Sequence, residues 1–151
     1  MKPTLTHPSW GQIDKACAIL AARVISSLGE PNQSPEVVVG LARGGLVPAV
    51  IISHILGTKM FPISYSSALG NGEYKNYENE LPEIPFTRLL FIDDIIDTGH
   101  TMKEVVDYYR SMNHIVKVAS LYYREGAAIN PDFVWQSISA QDPWIIFPWE
   151  I

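Results

Sequence analysis

Asp93, Asp94, Asp97, Thr98 and Thr101 fall within nine residues of one another, directly after the wholly apolar run Leu89-Leu90-Phe91-Ile92. The apolar run suits a buried strand, and acids at its end can accept hydrogen bonds from the vicinal hydroxyls of a sugar. Gly99 lets backbone amides come close to an anion, while Thr98 and Thr101 offer hydroxyl donors. A helix opening at this point adds unpaired N–H groups at its positive dipole end. The chemistry this spacing suits is the binding of a phosphate beside a sugar. An acidic pair at the carboxyl end of a parallel strand also occurs in receiver domains, but those do not need a Thr-Gly-His-Thr turn. His100 fills the remaining slot of the turn, with its imidazole facing either the phosphate or solvent.

A second glycine turn follows another apolar run, in Leu41-Ala42-Arg43-Gly44-Gly45-Leu46. Arg43 brings a fixed charge with several donors, and the paired glycines let backbone amides cradle an oxyanion. A dinucleotide fingerprint would need a third glycine that is missing here. By itself the segment reads as an ordinary Gly-rich turn. Two such turns on neighbouring strands would serve two anionic groups.

The elements that must position these residues alternate along the chain. Ser9 and Gln12 have capping-box spacing, and Ile13, Cys17, Leu20, Val24, Ile25 and Leu28 then recur at helical intervals up to Gly29. Val37 to Leu41 is short, β-branched and bounded by turn residues, as a buried parallel strand would be. A helix is expected over 46–56, a strand over 60–65, and then a stretch without periodicity over 66–86. Structureless stretches of that length are usually lids or disordered surface loops. A strand over 89–92, a helix over 101–112 and a strand over 115–123 follow, and a Pro- and Trp-rich tail ends the chain. Strands alternating with helices imply an α/β domain with a mainly parallel sheet, whose ligands sit beyond the carboxyl ends of the strands.

Composition narrows the classes. With 151 residues and a 47% hydrophobic fraction, one domain spanning 1–151 with a real core is expected. A net charge of −5, with 11 scattered basic residues, argues against nucleic-acid binding. A single cysteine, Cys17, excludes an internal disulfide and a multi-cysteine metal cluster, and reads as buried helix packing. The first residues lack the apolar core of a signal peptide and no segment approaches a membrane span, so cytoplasm is the expected location. His7, His54 and His114 have no partner at metal-ligand spacing and read as surface or structural.

The stretch from Leu89 to Thr101 resembles the signature of the type I phosphoribosyltransferases: a hydrophobic strand, an acidic pair, then a Thr-Gly-x-Thr turn. The resemblance implies that fold: a twisted sheet flanked by helices, a flexible lid loop at about 66–86 and a small C-terminal hood. It also implies phosphoribosyl pyrophosphate as a substrate and Mg²⁺ as the accompanying ion. Asp93 and Asp94 would face the ribose, with at most an indirect part in holding the metal. Asp97, Thr98, Gly99, His100 and Thr101 would wrap the 5′-phosphate. Ala42, Arg43 and Gly44 would form the pyrophosphate loop, with a cis peptide before Arg43. Ser64 and Tyr65 match the Ser-Tyr pair that opens the lid in related purine enzymes.

Asp97 and the tail move the resemblance toward the 6-oxopurine branch, the xanthine–guanine and hypoxanthine–guanine enzymes. There an Asp lies beside N7 of the purine and exchanges a proton as N9 attacks C1′. A helix N-cap is the other common use of such an Asp. Within the tail, about 124–151, the stretch Gln141 to Glu150 resembles the C-terminal region of xanthine–guanine enzymes, which implies Trp144 stacking on the base and main-chain groups near Ile145 reading its 2-position edge. Related enzymes place a lysine at the end of the strand over 115–123 to donate to the C6 oxygen; Arg124 or Tyr123 stands there in this chain. Trp149 reads as a packing aromatic. The chain stops at Ile151 where xanthine–guanine enzymes continue, so a shorter pocket wall, or one supplied by a neighbouring subunit, is expected. The implied activity is transfer of the phosphoribosyl group to hypoxanthine, guanine or xanthine in purine salvage, by a homo-oligomer, dimer or tetramer. The alternative from another class is a regulator on the same fold that binds phosphoribosyl pyrophosphate as a signal.

Overall fold

The computed structural model describes residues 6–65 and 81–150. The greater part of the expected lid, 66–80, lies outside the described residues. Helix α1, Trp10–Ser26, starts as its sequence requires: Ser9 accepts from the Gln12 N–H at 3.2 Å, and the Gln12 side chain accepts from the Ser9 N–H at 2.8 Å. Its inner face buries Ile13, Cys17, Leu20 and Val24, whereas Ile25 is exposed. The helix ends at Ser26, short of the expected Gly29, with the Ser27 N–H shared between the Arg23 and Val24 carbonyls and the Leu28 N–H tightening the last turn onto the Ile25 carbonyl.

Strand β1 (Val37–Leu41), helix α2 (Leu46–Leu56) and strand β2 (Lys59–Ile63) follow. Gly57, left-handed at φ 65°, ends α2 at the expected residue. Strand β3 (Arg88–Ile96), helix α3 (His100–Ser111), strand β4 (Ile115–Arg124) and strand β5 (Phe133–Ile138) complete the order. The sheet runs β2-β1-β3-β4-β5 with every neighbouring pair parallel.

Three expectations change in detail. β2 stops at Ile63, so Ser64 and Tyr65 lie past the sheet rather than within it. β3 runs on to Ile96, which places Asp93 and Asp94 inside the strand instead of at its end. β5 lies in the segment read as tail. Only half-buried on an edge, it lacks the wholly apolar run that marks β1 and β3.

Alternation along the strands sorts the core into two layers. Val38, Leu90, Ile92 and Leu121 pack with α1 and α2 on one face. Val37, Val39, Phe91 and Val118 pack with Met102, Val105 and Tyr109 of α3 on the other. The two layers clamp β1, β3 and β4 into a rigid middle, with both glycine turns emerging from its carboxyl edge. No helix among the described residues is long and apolar enough to cross a membrane.

Candidate active site

β1 and β3 are neighbours in register, Gly40 opposite Ile92, so the turns that follow them open side by side. The first turn starts at a cis peptide between Ala42 and Arg43, as the resemblance implied. The Ala42 N–H donates to the Ile63 carbonyl at 2.7 Å, which ties this turn to the end of β2 just before Ser64 and Tyr65. Arg43 is exposed and points its charge toward solvent rather than into the core.

Gly44 lies directly against Asp94: a β-carbon there would stand 1.9 Å from Oδ2 of the acid. Asp94 is 8% exposed, and its Oδ1 accepts from the Ile95 N–H at 2.7 Å. Burial raises its carboxyl above the usual carboxylate range, and the charge of Glu150 adds to the effect. Asp93, whose Oδ1 accepts from the Asp94 N–H at 2.9 Å, is raised well above that range by burial and then by the adjacent Asp94 charge. Two carboxyls in this condition suit neutral hydroxyls or a cation that restores the balance. Glu150 escaped the sequence reading because nothing in its local pattern marks it. Its carboxylate caps the Phe147 N–H at 2.8 Å, and only the tertiary fold brings its charge near Asp94.

The second turn is held from outside. Gly99 is left-handed at φ 80°, and a β-carbon there would come within 2.9 Å of the Ala128 nitrogen. Ala128 donates its N–H to the Thr98 carbonyl at 2.8 Å, so the β4–β5 connection fixes the turn. Helix α3 begins here with Gly99 as its N-cap and no side-chain cap, which leaves its first N–H groups for an anion. Thr98 is exposed, and His100 and Thr101 are half-buried. Asp97 therefore does not cap the helix.

Asp97 instead meets Arg124. Its Oδ1 accepts from Arg124 Nε at 2.5 Å, with the two side chains 34% and 16% exposed. Arg124 Nη1 also donates to the Ser139 carbonyl at 2.6 Å and the Asp142 carbonyl at 3.3 Å. Arg124 is thus neither a solvated strand end nor an uncommitted donor, since two of its three nitrogens already have partners. Tyr123 turns its hydroxyl to Asn130 Oδ1 at 2.5 Å.

The tail closes over this edge. Thr6 donates its N–H to the Trp144 carbonyl at 3.1 Å and accepts from the Ile146 N–H at 2.9 Å. In that parallel bridge the N–H and C=O of Ile145 point away from Thr6. Ile145 is buried at 3% and Trp144 is 51% exposed. Trp149 stacks on Phe147 at 4.8 Å between centroids, a packing role as expected. Thr6 was not legible as part of this region, because a single bridge leaves no periodic signal. At the other side, Tyr65 donates to Glu104 Oε2 at 2.8 Å, and this contact raises the phenol above its ordinary range.

His7 and His54 are exposed, and His114 Nδ1 donates to the Phe86 carbonyl at 2.6 Å, a structural use. Among the described residues no group of three His, Cys, Asp or Glu side chains could hold a metal alone.

Two turns fit for anions, an acid pair between them, a third acid held by arginine and a tail bearing an exposed tryptophan share one sheet edge. Comparison with known proteins agrees with that geometry. The profile of the phosphoribosyl transferase domain matches residues 9–151. A xanthine-guanine phosphoribosyltransferase of Cereibacter sphaeroides is 32% identical, covering 96% of this chain and 86% of its own. One from Idiomarina loihiensis is 30% identical, covering 95% of this chain and 85% of its own. The crystal structure of a purine phosphoribosyltransferase from Pyrococcus horikoshii superposes with a TM-score of 0.77 at 28% identity, over 97% of this chain and 94% of that one. The fold, the match across nearly the whole chain and the identity to these relatives place the protein in the phosphoribosyl transferase domain family.

Proposed function

We propose that the protein transfers the 5-phosphoribosyl group of phosphoribosyl pyrophosphate to hypoxanthine, guanine or xanthine, releasing pyrophosphate, in purine salvage. The observation that carries this reading is Asp97. It stands next to the phosphate turn, away from the helix cap, with one oxygen held by Arg124 and the other available to a substrate nitrogen. The names of the curated relatives, xanthine-guanine phosphoribosyltransferases, support the substrate class.

In this reading the N9 lone pair forms the bond to C1′ as the bond from C1′ to pyrophosphate breaks, and Asp97 exchanges a proton at N7. The turn 97–101 holds the 5′-phosphate through the Thr98 and Thr101 hydroxyls, the His100 and Gly99 backbone and the α3 N-terminus. Arg43, with the backbone of Ala42 and Gly44, stabilises the departing pyrophosphate. Trp144 stacks on the purine, the Ile145 main chain reads its 2-position edge, and Arg124 Nη2 faces the C6 oxygen. Ser64 and Tyr65 open the lid that excludes water from the activated ribose.

Asp93 and Asp94 offer hard oxygen donors on the ribose side, which fits Mg²⁺ brought in on the substrate rather than caged by protein. When bound, the ion neutralises charge on the pyrophosphate. One domain over 1–151, a cytoplasmic location and a homo-oligomer complete the reading. The last is supported by Val50 and Ile55, 44% and 46% exposed on a helix apolar nearly all round.

Asp97→Asn tests the assignment. Calorimetric binding of phosphoribosyl pyrophosphate should persist while kcat falls by roughly 10²–10⁴. An unchanged kcat removes Asp97 from the chemistry.

A further inference from the structure

We infer that Arg124 is the positioning residue of Asp97, a clamp that sets which carboxylate oxygen meets the base, and that its hold on the 139–142 turn is what makes the clamp rigid. The inference rests on the reading of Asp97 given above. It differs from a base-reading role, in which Arg124 would act on the C6 substituent alone.

The backbone beneath both residues is pinned. The β3–β4 ladder pairs Ile96 with Tyr123, so Asp97 and Arg124 are the next residues beyond its last rung. On its other side Arg124 pairs with Ile138 of β5, and the Glu125 N–H donates to the Ile138 carbonyl at 2.9 Å. The guanidinium is fixed just as firmly. The turn at 139–142 is closed twice, by the Ser139 N–H to Asp142 Oδ2 at 2.5 Å and by the Asp142 N–H to the Ser139 carbonyl at 3.2 Å. Its two carbonyls receive Arg124 Nη1. The planar fork then delivers Nε to Asp97 Oδ1 at 2.5 Å, with the arginine side chain only 16% exposed.

A short carboxylate side chain on a turn would otherwise rotate about its terminal bond and present either oxygen. A charge-assisted bond to a half-buried, doubly anchored arginine removes that freedom, takes Oδ1 and leaves Oδ2 to face the purine. Positioning of this kind acts on the chemical step, because a small misplacement of the proton acceptor costs far more in the transition state than in base binding. A lone ammonium on a flexible stem could make one of these contacts but could not bridge acid and turn as a rigid fork does.

The test is a double-mutant cycle in kcat with Asp97→Asn, Arg124→Gln and the pair, at saturating phosphoribosyl pyrophosphate and Mg²⁺, with hypoxanthine and guanine. Thermal melts accompany it to establish that each variant folds. Arg124→Gln is expected to lower kcat by about 10–100-fold, equally for hypoxanthine and guanine, on top of any rise in KM common to both from the lost contact to their C6 oxygen. On the Asp97→Asn background the same change should move kcat by less than about threefold, because the residue it positions is already gone. If Arg124→Gln does not fold, Arg124→Lys carries the same cycle with the same criterion. Effects that multiply independently overturn the clamp, as does a rise in KM or a change of base preference with kcat intact. If Asp97→Asn alone keeps wild-type kcat, it is the reading of Asp97 that fails.

Discussion

Asp94 and Gly44 share one small space: a β-carbon on residue 44 would stand 1.9 Å from Oδ2 and 2.6 Å from Cγ of the acid. This contact makes the turn after β1 and the acid pair of β3 a single packed unit.

Gly44→Ala therefore forces either the buried carboxylate or the turn to move. Overpacking of that kind costs typically 1–3 kcal/mol, which for a domain of this size lowers Tm by roughly 2–10 °C. Turnover should fall as well, because both assigned ligand groups, ribose and pyrophosphate, lose their geometry. Adding Asp94→Ala removes the obstructing atoms, so the double variant should regain melting temperature without regaining turnover. Wild-type Tm and turnover in Gly44→Ala would contradict the packing relation.

The acid pair also makes a statement about pH. Burial raises both carboxyls in the folded protein, most strongly Asp93, so the folded state binds protons more tightly than the unfolded chain. Stability contributed by these groups is present at low pH and is lost as pH rises from the unfolded carboxylate range, about 4, through the raised folded values. In substrate-free protein Asp93→Asn should match wild type near pH 4 and melt higher at neutral pH, by a margin that grows between the two. It should at the same time bind phosphoribosyl pyrophosphate less well, since the acid is retained for its ligand rather than for the fold. A variant that melts lower than wild type at neutral pH would refute the sign.

The phosphate turn gives a binding prediction. Thr98 is exposed and Thr101 half-buried, with neither committed to the core, so replacing both with Val should leave the melting temperature within a few degrees. Affinity for phosphoribosyl pyrophosphate should drop by roughly 10–1,000-fold, since hydrogen bonds to a charged group are worth about 1.5–3 kcal/mol each and part of the pair is replaced by backbone donors. Equal affinity by calorimetry would remove the hydroxyls from the phosphate site.

The sequence made the core and both turns legible for a physical reason. Leu89 to Ile92 and Val37 to Leu41 are buried on both faces of a parallel sheet, and that demands the uninterrupted apolar runs seen there. The Ser9–Gln12 cap and Gly57 are local signals and marked their helix ends. What could not be read depends on distant partners. β5 is an edge strand without apolar alternation, the charge of Glu150 reaches Asp94 only through the fold of the tail, and Thr6 joins Ile145 through one bridge. Arg124, with Tyr123 as the alternative, was legible as a candidate through the resemblance, which places a base-reading donor at the end of that strand. Its commitment to Asp97 and to the 139–142 turn was not, because β4, the end of β3 and that turn meet only in three dimensions.

The most direct test of the central claim is product formation from phosphoribosyl pyrophosphate and Mg²⁺ with hypoxanthine, guanine, xanthine and adenine, each measured as kcat/KM. In the proposed base pose the Arg124 guanidinium, held by Asp97, stands on the C6 side. A carbonyl there is paired, whereas the adenine amino group leaves a buried donor unsatisfied at about 1–3 kcal/mol, roughly 5–150-fold in kcat/KM. At least one of the three 6-oxopurines should yield its nucleoside monophosphate with stoichiometric pyrophosphate, at a kcat/KM exceeding that of adenine by that factor. Adenine as the best substrate would contradict the account of the base pocket, and no nucleotide from any of the four bases would contradict the assigned reaction itself.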